Sequence, residues 1–245
     1  MNFKVKFKEE TPSFNVKFGW NNGEFEAGKA EGVKSEYDRF WDVYQENGNR
    51  TNYENAFYNK AKCWTKETLK PKYNLNNIKS AQYMFYAINF ITNLDEWASD
   101  NGITIDFEKA DNISYAFCLS SIVSVGVINI SNCLYANCLF QYCSGLKTIG
   151  KLILSGTIST TLSHAFDRCP ALEDITIEGT IGNDISFPDC ALLTKSSITS
   201  VINVLSDTVT GKTATFSQTA KEAAFTVEEW AQLIGTKPNW TIALA

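Results

Sequence analysis

His164 is the only histidine in the 245-residue chain, so any scheme in which an imidazole activates a serine or cysteine must pass through it. It stands two residues before Phe166 in a repeated phrase, which predicts a structural place on the outer side of a repeat rather than a general base. Seven cysteines occupy positions 63, 118, 133, 138, 143, 169 and 190. The count is odd, and Cys143, Cys169 and Cys190 each follow a phenylalanine by three residues, a pattern of buried small side chains rather than of disulfides. Cys133, Cys138 and Cys143 recur at five-residue intervals, whereas structural zinc sites pair ligands about two to four residues apart, so no metal is assigned. Glu173 and Asp174 are adjacent and would face opposite ways on a strand. Asp106 and Glu178 lie three units apart, too far for the roughly 5 Å or 6.5–9.5 Å spacing of glycosidase carboxylates. Walker, dinucleotide, His-Glu-x-x-His and Gly-x-Ser-x-Gly patterns are absent. The expectation is a protein with no catalytic residues, no metal and no cofactor.

The residues just surveyed sit in a phrase written twice. Phe140-Gln-Tyr-Cys143-Ser-Gly-Leu146 leads to Leu152-Ile-Leu154-Ser-Gly-Thr-Ile158. Phe166-Asp-Arg-Cys169-Pro-Ala-Leu172 leads to Ile175-Thr-Ile177-Glu-Gly-Thr-Ile181. A period in the twenties marks stacked units that bury apolar side chains against their neighbours. Anchors recur at Phe85, Phe117, Phe140, Phe166 and Phe187, interleaved with the triplets Ile103-Thr-Ile105, Ile128-Asn-Ile130, Leu152-Ile-Leu154 and Ile175-Thr-Ile177. If the outer members of each triplet face the core, Thr104, Asn129, Ile153 and Thr176 form one solvent row. Asp106, Ser131, Ser155 and Glu178 extend it. These eight are the expected ligand-binding surface.

Upstream, Phe3, Val5 and Phe7 alternate with polar residues, as do Phe14, Val16 and Phe18, which predicts a hairpin over 2–8 and 14–18. Gly19 to Gly23 reads as a break, and helical spacing of Val33, Tyr37, Phe40, Trp41 and Tyr44 predicts a helix from Glu24 to Gln45. Small residues at Ala27, Gly28, Ala30 and Gly32 offer an assembly face, so 1–48 is a candidate oligomerisation element. Residues 49–77 read as a linker, 78–193 as the repeats and 194–245 as a cap. In the cap, Thr194 or Ser196 opens a helix bearing Ile198, Val201, Ile202 and Leu205. Thr213–Phe216 reads as a strand, Thr226-Val-Glu-Glu229 as a capping box, and Trp240–Leu244 as a final strand.

Phe-x-x-Cys-x-x-Leu, clearest in Ala165-Phe166-Asp-Arg-Cys169-Pro-Ala-Leu172-Glu-Asp-Ile175-Thr-Ile177, resembles the BspA-type leucine-rich repeat. The resemblance covers a little under half the chain. It implies an α+β fold: a short-stranded leucine-rich-repeat solenoid with an N-terminal β-hairpin plus helix and a C-terminal α/β cap. It also implies protein or adhesive contacts. The stretch from Leu193 through Asp207, together with Lys237-Pro-Asn-Trp-Thr-Ile and the Glu36–Trp41 segment, is similar to flanks of such repeats in phage and prophage structural proteins of gut bacteria.

Apolar residues make up 44% and charged residues 20%, as in folded globular chains. A net charge of −5 argues against a phosphate-tracking surface and hence against nucleic acid. No stretch is long and apolar enough to insert in a bilayer, and the N-terminus shows no signal peptide, which predicts synthesis in the cytoplasm. Two settings stay open: a virion-associated module of a tail or baseplate that meets a host protein or cell-surface glycan, and a free phage product that blocks a host factor.

Overall fold

The computed structural model describes residues 18–21, 24–27, 52–54, 56–57, 75–157 and 159–245. The chain divides into two units, Met1–Val43 and Tyr44–Ala245. In the first, β1 (Phe18–Asn21) pairs antiparallel with β2 (Glu24–Ala27), placing Trp20 opposite Phe25 and Asn21 opposite Glu24. This corrects the expected break at 19–23 and the helix start at Glu24. Asn22-Gly23 separates the two strands in sequence, and Asn-Gly is the dipeptide most favoured between paired strands. That local signal outweighs the helical spacing, which begins only at Val33. The rest of the expected hairpin and helix, and most of 49–77, lie outside the described residues.

The second unit is a mixed α/β fold with small parallel sheets and no closed barrel. One sheet orders β3 (Ser124–Asn129), β4 (Thr148–Ile153) and β5 (Asp174–Glu178). The other orders β6 (Ile185–Phe187), β7 (Lys212–Phe216) and β8 (Trp240–Leu244). Among the described residues there are four helices: α1 (Leu94–Asp100), α2 (Lys195–Asn203), α3 (Gln218–Ala224) and α4 (Val227–Gly235). No helix of the described residues is long and apolar enough to cross a membrane. Thr194 caps α2 through Ser197 N–H, and Thr226 closes the capping box of α4 with Glu229. Both caps were legible in the sequence; α3 was not.

A column of phenylalanine rings runs through the core. Phe57, Phe85, Phe117, Phe140, Phe166, Phe187 and Phe216 stack in order, with centroids 4.6–6.1 Å apart and ring planes within 20°. Trp97 meets Phe57 and Phe85 edge-on, and Trp230 closes the far end edge-on against Phe216 at 6.2 Å. The column therefore extends beyond 78–193 in both directions. Phe57 lies in the expected linker and Phe216 in the expected cap, so both segments contribute to the core.

The turns that carry Phe85, Phe117, Phe140 and Phe166 have an unusual backbone. Tyr83 and Ala87, Tyr115 and Leu119, Cys138 and Tyr142, and His164 and Arg168 all have φ between 54° and 61°. Each pair stands two residues before and two after its phenylalanine. Left-handed backbone at non-glycine residues costs about 1–2 kcal/mol each. Hydrogen bonds between turns offset it: Tyr115, Phe117 and Leu119 N–H donate to the carbonyls of Asn137, Leu139 and Gln141 at 2.9–3.0 Å. Cys138, Phe140 and Tyr142 N–H repeat the pattern on Ser163, Ala165 and Asp167. At the end of this ladder Arg168 N–H donates to the Asp189 carboxylate at 2.9 Å. Three residues past the anchor, the Cys143 thiol donates to the Phe117 carbonyl at 2.9 Å and the Cys169 thiol to the Phe140 carbonyl at 3.0 Å. The cysteines are buried rungs, as their spacing suggested.

The β3–β5 sheet is finite because both edges are covered. Asp95 on α1 accepts from Gly126 N–H at 2.5 Å on the β3 side. Ser197 and Ser200 on α2 accept from Ile175 and Ile177 N–H at 3.0 and 3.1 Å on the β5 side. Side-chain oxygens thus take up edge amides that would otherwise recruit another strand.

Candidate ligand-binding cleft on the turn face

The expected row of eight surface residues does not form. Register shifts between β4 and β5, so Leu152 pairs with Ile177 and Ile153 with Glu178 rather than with Thr176. Ile175-Thr-Ile177 aligns with Ile149 to Leu152 rather than with Leu152 to Leu154, and a bulge at Gly150-Lys151 places two residues between the buried Ile149 and Leu152 where β5 has one. Asn129, Ile153 and Glu178 do lie side by side, and Glu178 is held by Lys151 at 2.8 Å. Thr176 is exposed at the level of the bulge. Ser131 N–H turns back onto the Asn129 side chain at 3.1 Å, and Ser155 is buried, its hydroxyl accepting from Thr157 N–H at 3.0 Å. Thr104 and Asp106 belong elsewhere: they flank Ile105, which bridges to Leu75, and their carbonyl and amide bond Leu75 at 2.7 and 2.8 Å. The strand face therefore offers a short strip three strands wide, not one row along the stack.

The concave feature lies on the turns. A cleft of about 400 Å³ is lined by Tyr83, Tyr86, Tyr115, Cys118, Leu119, Gln141 and Tyr142. Relative to the anchors Phe85, Phe117 and Phe140, these are the residues two before, one after and two after. Tyr83, Tyr115, Leu119 and Tyr142 are themselves left-handed residues, two before or two after a buried anchor, and line the cleft while the anchor points in. Tyr83 and Tyr115 stack at 4.7 Å and 10°, and Tyr86 meets Tyr83 edge-on at 5.5 Å. Leu119 and Tyr142 are about half exposed, at 47% and 49%. Exposed apolar side chains gathered round a depression mark interaction sites.

Electrostatics keep the cleft neutral. A hydrogen bond with Cys138, together with the charge that thiol would carry, pushes Tyr115 up to about 12. Burial pushes Cys118 up to about 12 and raises Cys138. All three are uncharged across the physiological range, so the lining offers phenols, a thiol, an amide and apolar surface.

The next turn continues the same three positions with His164, Asp167 and Arg168. His164 Nδ1 lies 2.6 Å from one Asp167 oxygen, and Ser186 Oγ donates to the other at 2.8 Å. The carboxylate stands between hydroxyl and imidazole, whereas nucleophile activation needs the imidazole between hydroxyl and carboxylate. His164 thus serves as an exposed partner of Asp167, with its side chain 61% accessible. No group of three or more His, Cys, Asp or Glu suited to a metal occurs among the described residues.

Sequence reasoning assigned none of the cleft residues to a binding surface. The usable signal was alignment on the anchors, which puts Tyr83 and Tyr115 two before, and Leu119 and Tyr142 two after, their phenylalanines. Comparison with protein-family models, curated proteins and solved structures returned no match.

Proposed function

We propose that the repeats form a BspA-type leucine-rich-repeat solenoid and that the protein is a non-catalytic binding module. Its recognition surface is the turn face around Tyr83, Tyr115, Leu119 and Tyr142. The observation that carries this reading is the 400 Å³ aromatic cleft built from three consecutive turns, a size within the range of about 300–1,000 Å³ usual for small-ligand sites. The strand face supports it less well, because its exposed residues are few and its edges are occupied by helices. The likeness of the flanks to phage and prophage structural proteins supports a virion setting, with 1–48 joining subunits.

The test is binding to isolated bacterial envelopes by co-sedimentation. Leu119→Glu is expected to abolish capture, and Thr176→Lys to leave it unchanged. The reverse outcome would return the site to the strand face. Light scattering on the full chain tests the setting: a stable oligomer supports a particle component, and a monomer supports a free inhibitor.

A further inference from the structure

Resting on the turn-face reading, we infer that the tyrosine cleft is a saccharide site whose ligand is a neutral oligosaccharide. Three observations lead there. The first is size. The cleft is bounded by three turns and holds about 400 Å³, which suits a small ligand segment. A folded protein partner would need about 800 Å² of buried surface on each side.

The second is charge. The lining holds no Lys, Arg, His, Asp or Glu: four phenols, one thiol, one amide and one leucine surround the space. The first charged side chains on the strip, Asp167 and Arg168, are already engaged. Asp167 bonds His164 and Ser186, and Arg168 lies 3.8 Å from the Asp189 carboxylate. Among the described residues a phosphorylated or carboxylated ligand would meet no unopposed cation lining the cleft, and desolvating its charge would cost binding. Nucleic acid and teichoic-type polymers are disfavoured on the same ground.

The third is the mixture of surfaces. Aromatic side chains with a polar tip present an apolar body beside a hydrogen-bonding end. Gln141 adds both donors and an acceptor. A pyranose has the matching character, with C–H patches on its ring and hydroxyls round its rim. A peptide would bring amides in regular series, and the cleft supplies no unpaired strand edge for them: the amides of Tyr115, Leu119 and Tyr142 already donate to the next turn. Within the cleft, Tyr115 and Cys118 hold their protons to high pH.

The experiment is titration calorimetry of the full chain with cellohexaose, maltohexaose, the hexamer of N-acetylglucosamine, a polyuronate and a proline-rich decapeptide. At least one neutral oligosaccharide is expected to bind, with affinity indifferent to added salt because no ion pair forms. Tyr142→Ala is expected to weaken it about tenfold or more, and Gln141→Ala to weaken it measurably, both with unchanged melting temperature. Tyr142 is half exposed, so its removal leaves the fold intact. Binding of the peptide or the polyuronate with none of the neutral sugars would overturn the saccharide assignment and leave the binding-module reading standing. Sugar binding that survives both variants would overturn the site, and Leu119→Glu without effect on envelope capture would overturn the turn-face reading itself.

Discussion

Replacing Phe166 with alanine tests the ring column where it is best defined. The ring is fully buried and stacks on Phe140 at 6.1 Å and on Phe187 at 4.6 Å. Its removal leaves a cavity between two rigid rings that cannot close over it, because each is fixed by hydrogen bonds of its own turn. The cost is expected at about 3–5 kcal/mol. Set against a total of about 5–15 kcal/mol, this is a large fraction of the stability. Phe166→Leu separates stacking from volume: it fills much of the space but forfeits two ring pairs, for about 1–3 kcal/mol. The assay is equilibrium urea denaturation followed by tryptophan fluorescence, with Trp230 reporting the far end of the column. Since neighbouring units stabilise one another, the alanine variant should also uncouple the flanks and broaden the transition. A loss under about 1 kcal/mol for alanine, or no loss for leucine, would refute the claim that stacked rings hold the turns in register.

Gly179 has φ of 102°, and a Cβ there would run into the Leu154 carbonyl oxygen, so Gly179→Ala should lower stability by about 1–3 kcal/mol in thermal denaturation. Ser197→Ala with Ser200→Ala strands the amides of Ile175 and Ile177, for about 1–3 kcal/mol per site where the amide stays buried. Thiol labelling read by mass spectrometry should find Cys143 and Cys169 inert in the folded protein and reactive in urea, since burial raises both. The same shifts give alkaline sensitivity. Cys118 and Cys143 titrate near 9.0 when unfolded and about 12 when folded, so their stabilising contribution is complete below pH 9 and declines as pH rises toward 12. A denaturation midpoint that stayed flat from pH 9 to 11 would contradict the buried-rung assignment.

The column was readable in part because Phe140 and Phe166 share a phrase with Cys143 and Cys169, and all five expected anchors stack. Phe57 and Phe216 were missed because they fall outside the repeated phrases, in the segments read as linker and cap. Strand positions were found, but an alignment made on the triplets set Ile175 against Leu152, whereas Ile175 pairs with Ile149, and with the Gly150-Lys151 bulge Ile153 comes to face Glu178 rather than Thr176. The left-handed turns were illegible for a different reason. Tyrosine, leucine and arginine carry no preference for positive φ, so cooperation between stacked turns produces it there. The cleft followed those turns into obscurity. In the first unit, the Asn22-Gly23 signal was read as punctuation when the paired strands on either side gave it meaning.

Because the left-handed turn is held by main-chain bonds from one coil to the next, the identity of the outward residue is nearly irrelevant to folding. Tyr83, Tyr115, Cys138 and His164 occupy equivalent seats with φ of 57°, 60°, 54° and 56°. A lineage could exchange the outward residues of these turns and obtain a new exposed face at each event, with the interior untouched. Such drift would let the surface change quickly while the scaffold stayed constant.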